Sequence, residues 1–264
     1  MCKYNIISIK CTTTLFLCYN DYMQFYQSNL LNQFPNLQHA FTTKVSGNLA
    51  FHVGDTKENV LIQHATLAKE LHYTQENLVF MNQIHSNNVY KVTQKDSFST
   101  PPTADALITD RKNTPLMVMV ADCTPVMFYD NKHEVIAVAH VGRAGALKNI
   151  IHNVLQSFQN DFGSNLADIY VATGASICQN CYEVGEEIAQ EVQLRNMEYA
   201  ISTRNAKYYL DIESIIQKQL LYEGIQQTNI EFCPICNACN TQHYFSYRKE
   251  GQTGRFAGMM MLIE

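Results

Sequence analysis

The sequence has no tryptophan and little that breaks or bends a chain: 6 prolines and 11 glycines in 264 residues. That composition excludes collagen-like and Pro/Gly low-complexity structure. Charge is also scarce. Asp, Glu, Lys and Arg make up 16%, against roughly 25% in an average globular protein. The shortfall is filled by 23 Asn and 19 Gln. The net charge of −5 leaves no basic excess of the kind that duplex nucleic acid requires. No apolar run reaches the ~18–20 residues that span a bilayer. Residues 1–19 lack the unbroken apolar stretch of a secretory signal, because Ser8, Lys10 and Thr12 interrupt it. The expectation is a cytoplasmic protein whose first residues form a strand or a loose extension.

What the chain does have is apolar content, 46%, and length enough for a sizeable core without disulfides. Nine cysteines is an odd number, unlike the even, short frameworks of secreted disulfide scaffolds. In a reducing cytosol they would be free thiols or metal ligands. Helical spacing appears over residues 59–71, over 146–158 with a stop near Gly163, and over 183–193 and 213–222. Strand patterns appear at 88–93, 134–141, 169–172 and 256–263. Residues 116–129 read as two buried strands interrupted by Asp122-Cys123-Thr124-Pro125. Strands and helices do not alternate strictly, so a single mixed-sheet α+β domain is expected over 1–264. Residues 1–38 would be an extension or edge strand.

Three motifs sit where elements end. They are Asn82-Gln83-Ile84-His85-Ser86, Ala121-Asp122-Cys123-Thr124-Pro125, and Ala139-His140-Val141-Gly142-Arg143-Ala144-Gly145. His85, Cys123 and His140 are a donor set suited to zinc, and three protein ligands with an open fourth position form a catalytic arrangement. Their separations of 38 and 17 residues do not by themselves decide this. Cys123 as a small buried hydrophobe with two satisfied histidines is the alternative. The glycine-bracketed start of a helix at Gly142–Gly145, beside Arg143, could hold an anion. Tyr244-Phe245-Ser246-Tyr247-Arg248 could line a pocket for a flat ring, or form a packed strand.

Taken together, these motifs resemble the YfiH-like family, also called laccase-domain or multicopper polyphenol oxidoreductase proteins. Matching segments include Gln83-Ile84-His85-Ser86, Ala121-Asp122-Cys123-Thr124-Pro125, His140 to Gly145, Gly174-Ala175-Ser176-Ile177-Cys178-Gln179-Asn180-Cys181-Tyr182-Glu183-Val184-Gly185, and the run from Cys236 to Arg255. Phe41-Thr42-Thr43-Lys44 and Phe51-His52-Val53-Gly54-Asp55 add to it. The resemblance spans about 39–264. It implies a mixed β-sheet sandwich with flanking helices, similar to the cytotoxic necrotizing factor catalytic domains. It also implies Zn²⁺ on His85, Cys123 and His140. The implied activity is phosphorolysis of purine nucleosides (adenosine, inosine, guanosine, methylthioadenosine) with inorganic phosphate, together with adenosine deamination. Lys44, Gly142, Arg143, Gly145, Tyr247 and Arg248 would bind substrate, and Asp122 is the candidate general acid. The chain departs from the family where Arg143-Ala144 replaces Trp-Arg, Ala175 replaces Pro, and Lys44 replaces an arginine whose fork it cannot reproduce.

Other function classes compete. Some family members are linked to peptidoglycan editing, and a cysteine amidase could use Cys123 as nucleophile and His140 as base. A multicopper oxidase is excluded because the nine histidines contain no His-x-His pair and three ligands cannot hold a copper cluster. A non-enzymatic binding module would leave the ligand set unexplained. Cys178-x-x-Cys181 and Cys233-x-x-Cys236-x-x-Cys239 could form a second, four-cysteine zinc site, although the gap of about 50 residues exceeds the ~15–20 of zinc ribbons. Oligomeric state stays open.

Overall fold

Two β-sheets stack face to face, and each carries helices on its outer surface. The computed structural model describes residues 25–264. The expected extension over the first residues, with Cys2, Cys11 and Cys18, lies outside them. The first sheet has five strands in the order β1 (Phe25–Tyr26), β2 (Leu37–Thr42), β14 (Phe256–Leu262), β6 (Leu116–Val120) and β3 (Val79–Phe80). The second has six: β13 (Ile230–Glu231), β9 (Ile169–Thr173), β7 (Thr124–Asp130), β8 (Val135–Val141), β5 (Ala106–Thr109) and β4 (Val89–Lys91). Most pairs are antiparallel. β3 with β6, β4 with β5, and β13 with β9 run parallel. A small third sheet joins β10 (Glu183–Val184), β12 (Lys207–Leu210) and β11 (Ile201–Arg204). This is the expected α+β sandwich.

Strands β5 to β8 and β14 are buried along their whole length because both of their faces are covered. In β7, Met127 and Tyr129 face the five-stranded sheet, where they meet Phe41, Val118 and Met260. Val126 and Phe128 point the other way, onto α3 (Ile150–Phe162) and α5 (Ile212–Glu223). In β14 the same alternation sends Phe256, Met260 and Leu262 between the sheets. It sends Ala257, Met259 and Met261 toward α1 (Lys57–Glu70). Period-two side-chain direction thus builds three cores from one set of strands.

Local chemistry sets the boundaries. Thr56 caps α1 through its hydroxyl, and Gly163 ends α3 in the left-handed region at φ 69°. Two expectations need correction. The helix expected over 146–158 is two helices, α2 (Arg143–Leu147) and α3, because Asn149 turns left-handed at φ 57° and caps α3 with its own side chain. The 3.6-residue spacing runs on across the break because Ala146 and Leu147 still reach the core that α3 covers. Residues 183–193 begin as the strand β10 before α4 (Glu186–Leu194) starts.

Candidate metal centre and its pocket

The site is assembled where three strand ends meet. His85 lies in the loop between β3 and β4, Cys123 in the turn between β6 and β7, and His140 near the end of β8. Their ligand atoms all lie within 4.8 Å of one another. The two imidazoles stand edge to face, with centroids 4.8 Å apart. Two of the backbone positions that aim them are left-handed, His85 at φ 58° and Asp122 at φ 84°. Non-glycine residues rarely adopt this region, and it tends to persist where the surroundings over-determine it.

Asp105, just before β5, is the hub of that over-determination, and it was not recognised from the motifs. It is fully buried. Its carboxylate accepts from the Ser86 amide at 2.6 Å and hydroxyl at 2.7 Å, and from the His85 amide at 3.0 Å. It also bonds His140 Nδ1 at 2.9 Å, while the Asp105 carbonyl accepts the His140 amide. One carboxylate therefore shapes the His85 loop and orients the His140 ring. With Nδ1 held, His140 presents Nε2 to the site, the support that metal-bound imidazoles usually receive. Burial alone would raise the Asp105 carboxyl, but the His140 and Ser86 hydrogen bonds outweigh it and hold it well below the usual carboxylate range. The only sequence sign of Asp105 was an acid inside an otherwise apolar stretch, Ala104-Asp105-Ala106-Leu107.

Cys123 and His140 shift each other in opposite directions. Burial opposes charge on both. At Cys123, the field and hydrogen bond of His140, joined by His85, prevail and bring the thiol down to about 6. At His140, the Cys123 charge and the Asp105 hydrogen bond prevail and lift the imidazole to about 9. The pocket thus favours a thiolate, the form of cysteine that binds metals and attacks carbonyls. Gly142 is needed for space: a Cβ there would come 2.7 Å from Cys123 Sγ. A soft thiolate and two borderline imidazoles with converging donor atoms fit a tetrahedral metal with one position left open.

These groups floor a cavity of about 700 Å³. Of the residues expected to bind substrate, Gly142, Arg143, Tyr247 and Arg248 line it, joined by Phe51, His52, Tyr182 and Arg255. Lys44 and Gly145 are not among its lining residues. The Lys44 ammonium is bound to Glu250 at 2.5 Å and to the Thr241 carbonyl at 2.6 Å. Gly145 is buried in α2 against the His140 carbonyl. Arg143 starts α2 and forms a 3.3 Å ion pair with Glu191. Arg248 donates to the Glu183 carbonyl at 2.7 Å and lies over the Tyr182 ring. Asp122 faces a crowd of donors: Asn237 at 2.9 Å, the Ser246 hydroxyl at 2.6 Å, and the Arg248 amide at 2.7 Å. The stretch around Tyr244–Arg248 is not a strand. Ser246 caps a single helical turn, α6 (Tyr247–Glu250), which places Tyr247 and Arg248 at the cavity.

The family model described as multi-copper polyphenol oxidoreductase laccase matches residues 39–263, and the chain belongs to that family. A purine nucleoside phosphorylase of Corynebacterium glutamicum is 33% identical over 84% of this chain and 93% of its own length. The purine nucleoside phosphorylase YlmD of Bacillus subtilis is 29% identical over 98% of this chain and 99% of its own. Among solved structures, the YfiH protein of Bacillus licheniformis superposes with a TM-score of 0.85 at 28% identity, covering 92% of this chain and all of that one. YlmD of Geobacillus stearothermophilus gives 0.85 at 26% identity, covering 93% of this chain and 98% of its own. No helix among the described residues is long and apolar enough to cross a membrane.

Proposed function

We propose that this protein is a zinc-dependent purine nucleoside phosphorylase that acts on adenosine, inosine, guanosine and methylthioadenosine, and that also deaminates adenosine. The observation that carries the reading is the convergence of His85, Cys123 and His140 on the floor of a cavity whose walls hold three arginines and several aromatic rings. The names of the relatives at about 30% identity support it. None of the six described cysteines is in a disulfide, as in a reducing cytoplasm, where we place the protein.

His85, Cys123 and His140 would hold the metal. Bound there, zinc supplies Lewis acidity toward an oxygen of the reactants. The chain's own residues account for the rest of the arrangement. A phosphate oxygen must form a bond to C1′ while the bond from C1′ to N9 breaks and leaves its electron pair on the base. Arg143 and Arg248 flank Tyr182 at the cavity wall and supply the charge that holds phosphate. Arg143 binds it by exchanging Glu191 for the anion. Phe51, Tyr182 and Tyr247 offer faces for the purine. Asp122, committed to three donors, acts as a positioning residue for the Cys123 turn rather than as the general acid. Asp105 keeps the His140 ring oriented.

Adenosine incubated with the purified protein should yield adenine and ribose 1-phosphate at a rate that saturates with phosphate. Free ribose without phosphate dependence would leave a nucleosidase instead. Arg143→Ala should cost about ten- to a hundredfold in kcat/KM for phosphate while sparing the metal, the size of one charge-assisted hydrogen bond. Arg143→Lys should recover part of that loss. An unchanged phosphate KM in Arg143→Ala would refute its role.

The mutual charging of Cys123 and His140 favours one second reading, a cysteine amidase acting on muramyl-peptide amides. Metal dependence separates the two. A thiolate–imidazolium dyad works in chelator, whereas the phosphorylase does not.

A further inference from the structure

Four cysteines outside the pocket are drawn together by backbone pairing. The loop after β9 and the segment after β13 run parallel, with an isolated bridge between Ser176 and Cys236. The Ser176 amide donates to the Ile235 carbonyl at 3.3 Å, and the Asn237 amide donates to the Ser176 carbonyl at 3.2 Å. From that bridge onward each segment carries a Cys-x-x-Cys, and the offset is the same for both pairs. Cys178 stands by Cys236 and Cys181 by Cys239, each 58 residues apart. Each Cys-x-x-Cys wraps one 3-10 turn, Gln179–Cys181 and Asn237–Cys239, with its first cysteine as the cap. Cys233, the other candidate in the sequence, is excluded by this register. It is buried in the core between the sheets, and its amide donates to Thr173 Oγ1.

We propose that Cys178, Cys181, Cys236 and Cys239 bind a single structural Zn²⁺. All four sulfurs lie within 4.8 Å of one another, and Cys181 and Cys239 are 3.3 Å apart. A tetrahedron with zinc–sulfur bonds of about 2.3 Å places its corners about 3.8 Å apart, inside that span. The sulfurs form one group of four rather than two isolated pairs. The Cys178 amide donates to Cys236 Sγ at 3.3 Å, so a backbone dipole already supports negative charge on that sulfur. Four thiolates complete the coordination sphere and leave no open position, which marks a structural site rather than a catalytic one.

The staple would act on the pocket through its flanks. Next to Cys178, the Ile177 amide donates to the Asp122 carbonyl at 2.9 Å. Next to Cys236, Asn237 Nδ2 donates to Asp122 Oδ1 at 2.9 Å and to the Phe245 carbonyl at 2.8 Å. Both arms of the four-cysteine cluster thus grip the residue before Cys123.

The test counts metal in a full-length chain whose pocket triad is broken, so its outcome does not depend on what the pocket does. Cys123→Ala, purified anaerobically with a thiol reductant, should keep about one zinc per chain. Adding Cys236→Ser and Cys239→Ser should bring the count to about zero. As a check that does not rest on the cysteine substitutions folding, Co²⁺ exchanged into Cys123→Ala should show intense thiolate-to-metal absorption and the visible bands of a tetrahedral four-sulfur site. A Cys123→Ala chain without zinc, with iron in its place, with a Cys178–Cys236 or Cys181–Cys239 disulfide, or with zinc that survives the added serines would overturn the proposal.

Discussion

Asp105 carries the largest consequence at the scale of single residues. Asp105→Asn would keep the shape but replace one acceptor oxygen with an NH₂ and remove the charge that holds His140. Loss of such a support typically costs 10–100-fold in metal affinity. Competition with a chelator should show a loss of that order, and an unchanged affinity would show that the ligands orient themselves. Gly142→Ala is the steric counterpart. Its backbone, at φ −85°, tolerates alanine, so the damage comes only from the Cβ pressing on Cys123 Sγ. Metal ligation tolerates about 0.2 Å, and we expect affinity to fall about tenfold or more while the far-ultraviolet circular dichroism stays unchanged.

At the scale of elements, the α2–α3 break separates backbone strain from capping. Asn149 is left-handed, and its side chain accepts the His152 amide. Asn149→Ala loses the cap and also the asparagine's tolerance of the left-handed region, for a total of about 2 kcal/mol. Asn149→Gly loses the cap but not the conformational tolerance, and should cost less than half as much. Urea unfolding of both variants checks this, and equal losses would refute the backbone argument. The break was hidden in the sequence because the apolar spacing continues through it. The short turn of α6 was hidden for the opposite reason. Three aromatics within Tyr244–Tyr247 left a packed strand open as one reading, and the Ser246 cap onto Lys249 starts a helical turn there instead.

For the whole molecule, two buried histidines that do not line the pocket contribute to acid lability. His39 sits in β2 with its Nε2 accepting the Ser28 amide, and burial lowers it to about 4, against a smaller opposing pull from Glu231. His64 in α1 is lowered to about 4 by the same desolvation; its Nε2 pairs with the Leu49 carbonyl, and its Nδ1 has no partner among the described residues. In the unfolded chain both titrate near 6.5. Between pH 6.5 and 4 the unfolded state therefore binds more protons, so stability falls as pH drops through that window and the loss levels off below it. A shift of this size corresponds to about 3 kcal/mol for each histidine. Urea titrations at several pH values should show this slope, and His64→Gln should flatten it by close to one proton. An unaltered slope would sink the assignment.

The sequence by itself determined what kind of fold this is and offered the candidates for its chemistry. His85, Cys123 and His140 each sit in a short motif where an element begins or ends, so residue type and local pattern marked them as candidates, and the resemblance to the family joined them as a ligand set. The mixed α+β class was legible because strands and helices do not alternate strictly, and the sandwich followed from the resemblance to the family. Tertiary structure alone decided who touches whom. Asp105 reaches His140 because β5 pairs with β8, placing Ala106 opposite Ala139. Lys44 is drawn away from the cavity because Glu250 lies beside it. Cys236 and Cys239, not Cys233, meet Cys178 and Cys181 because the register starts at Ser176. Pairings of this kind join residues tens of positions apart, and nothing in the local pattern of either partner encodes the distance between them.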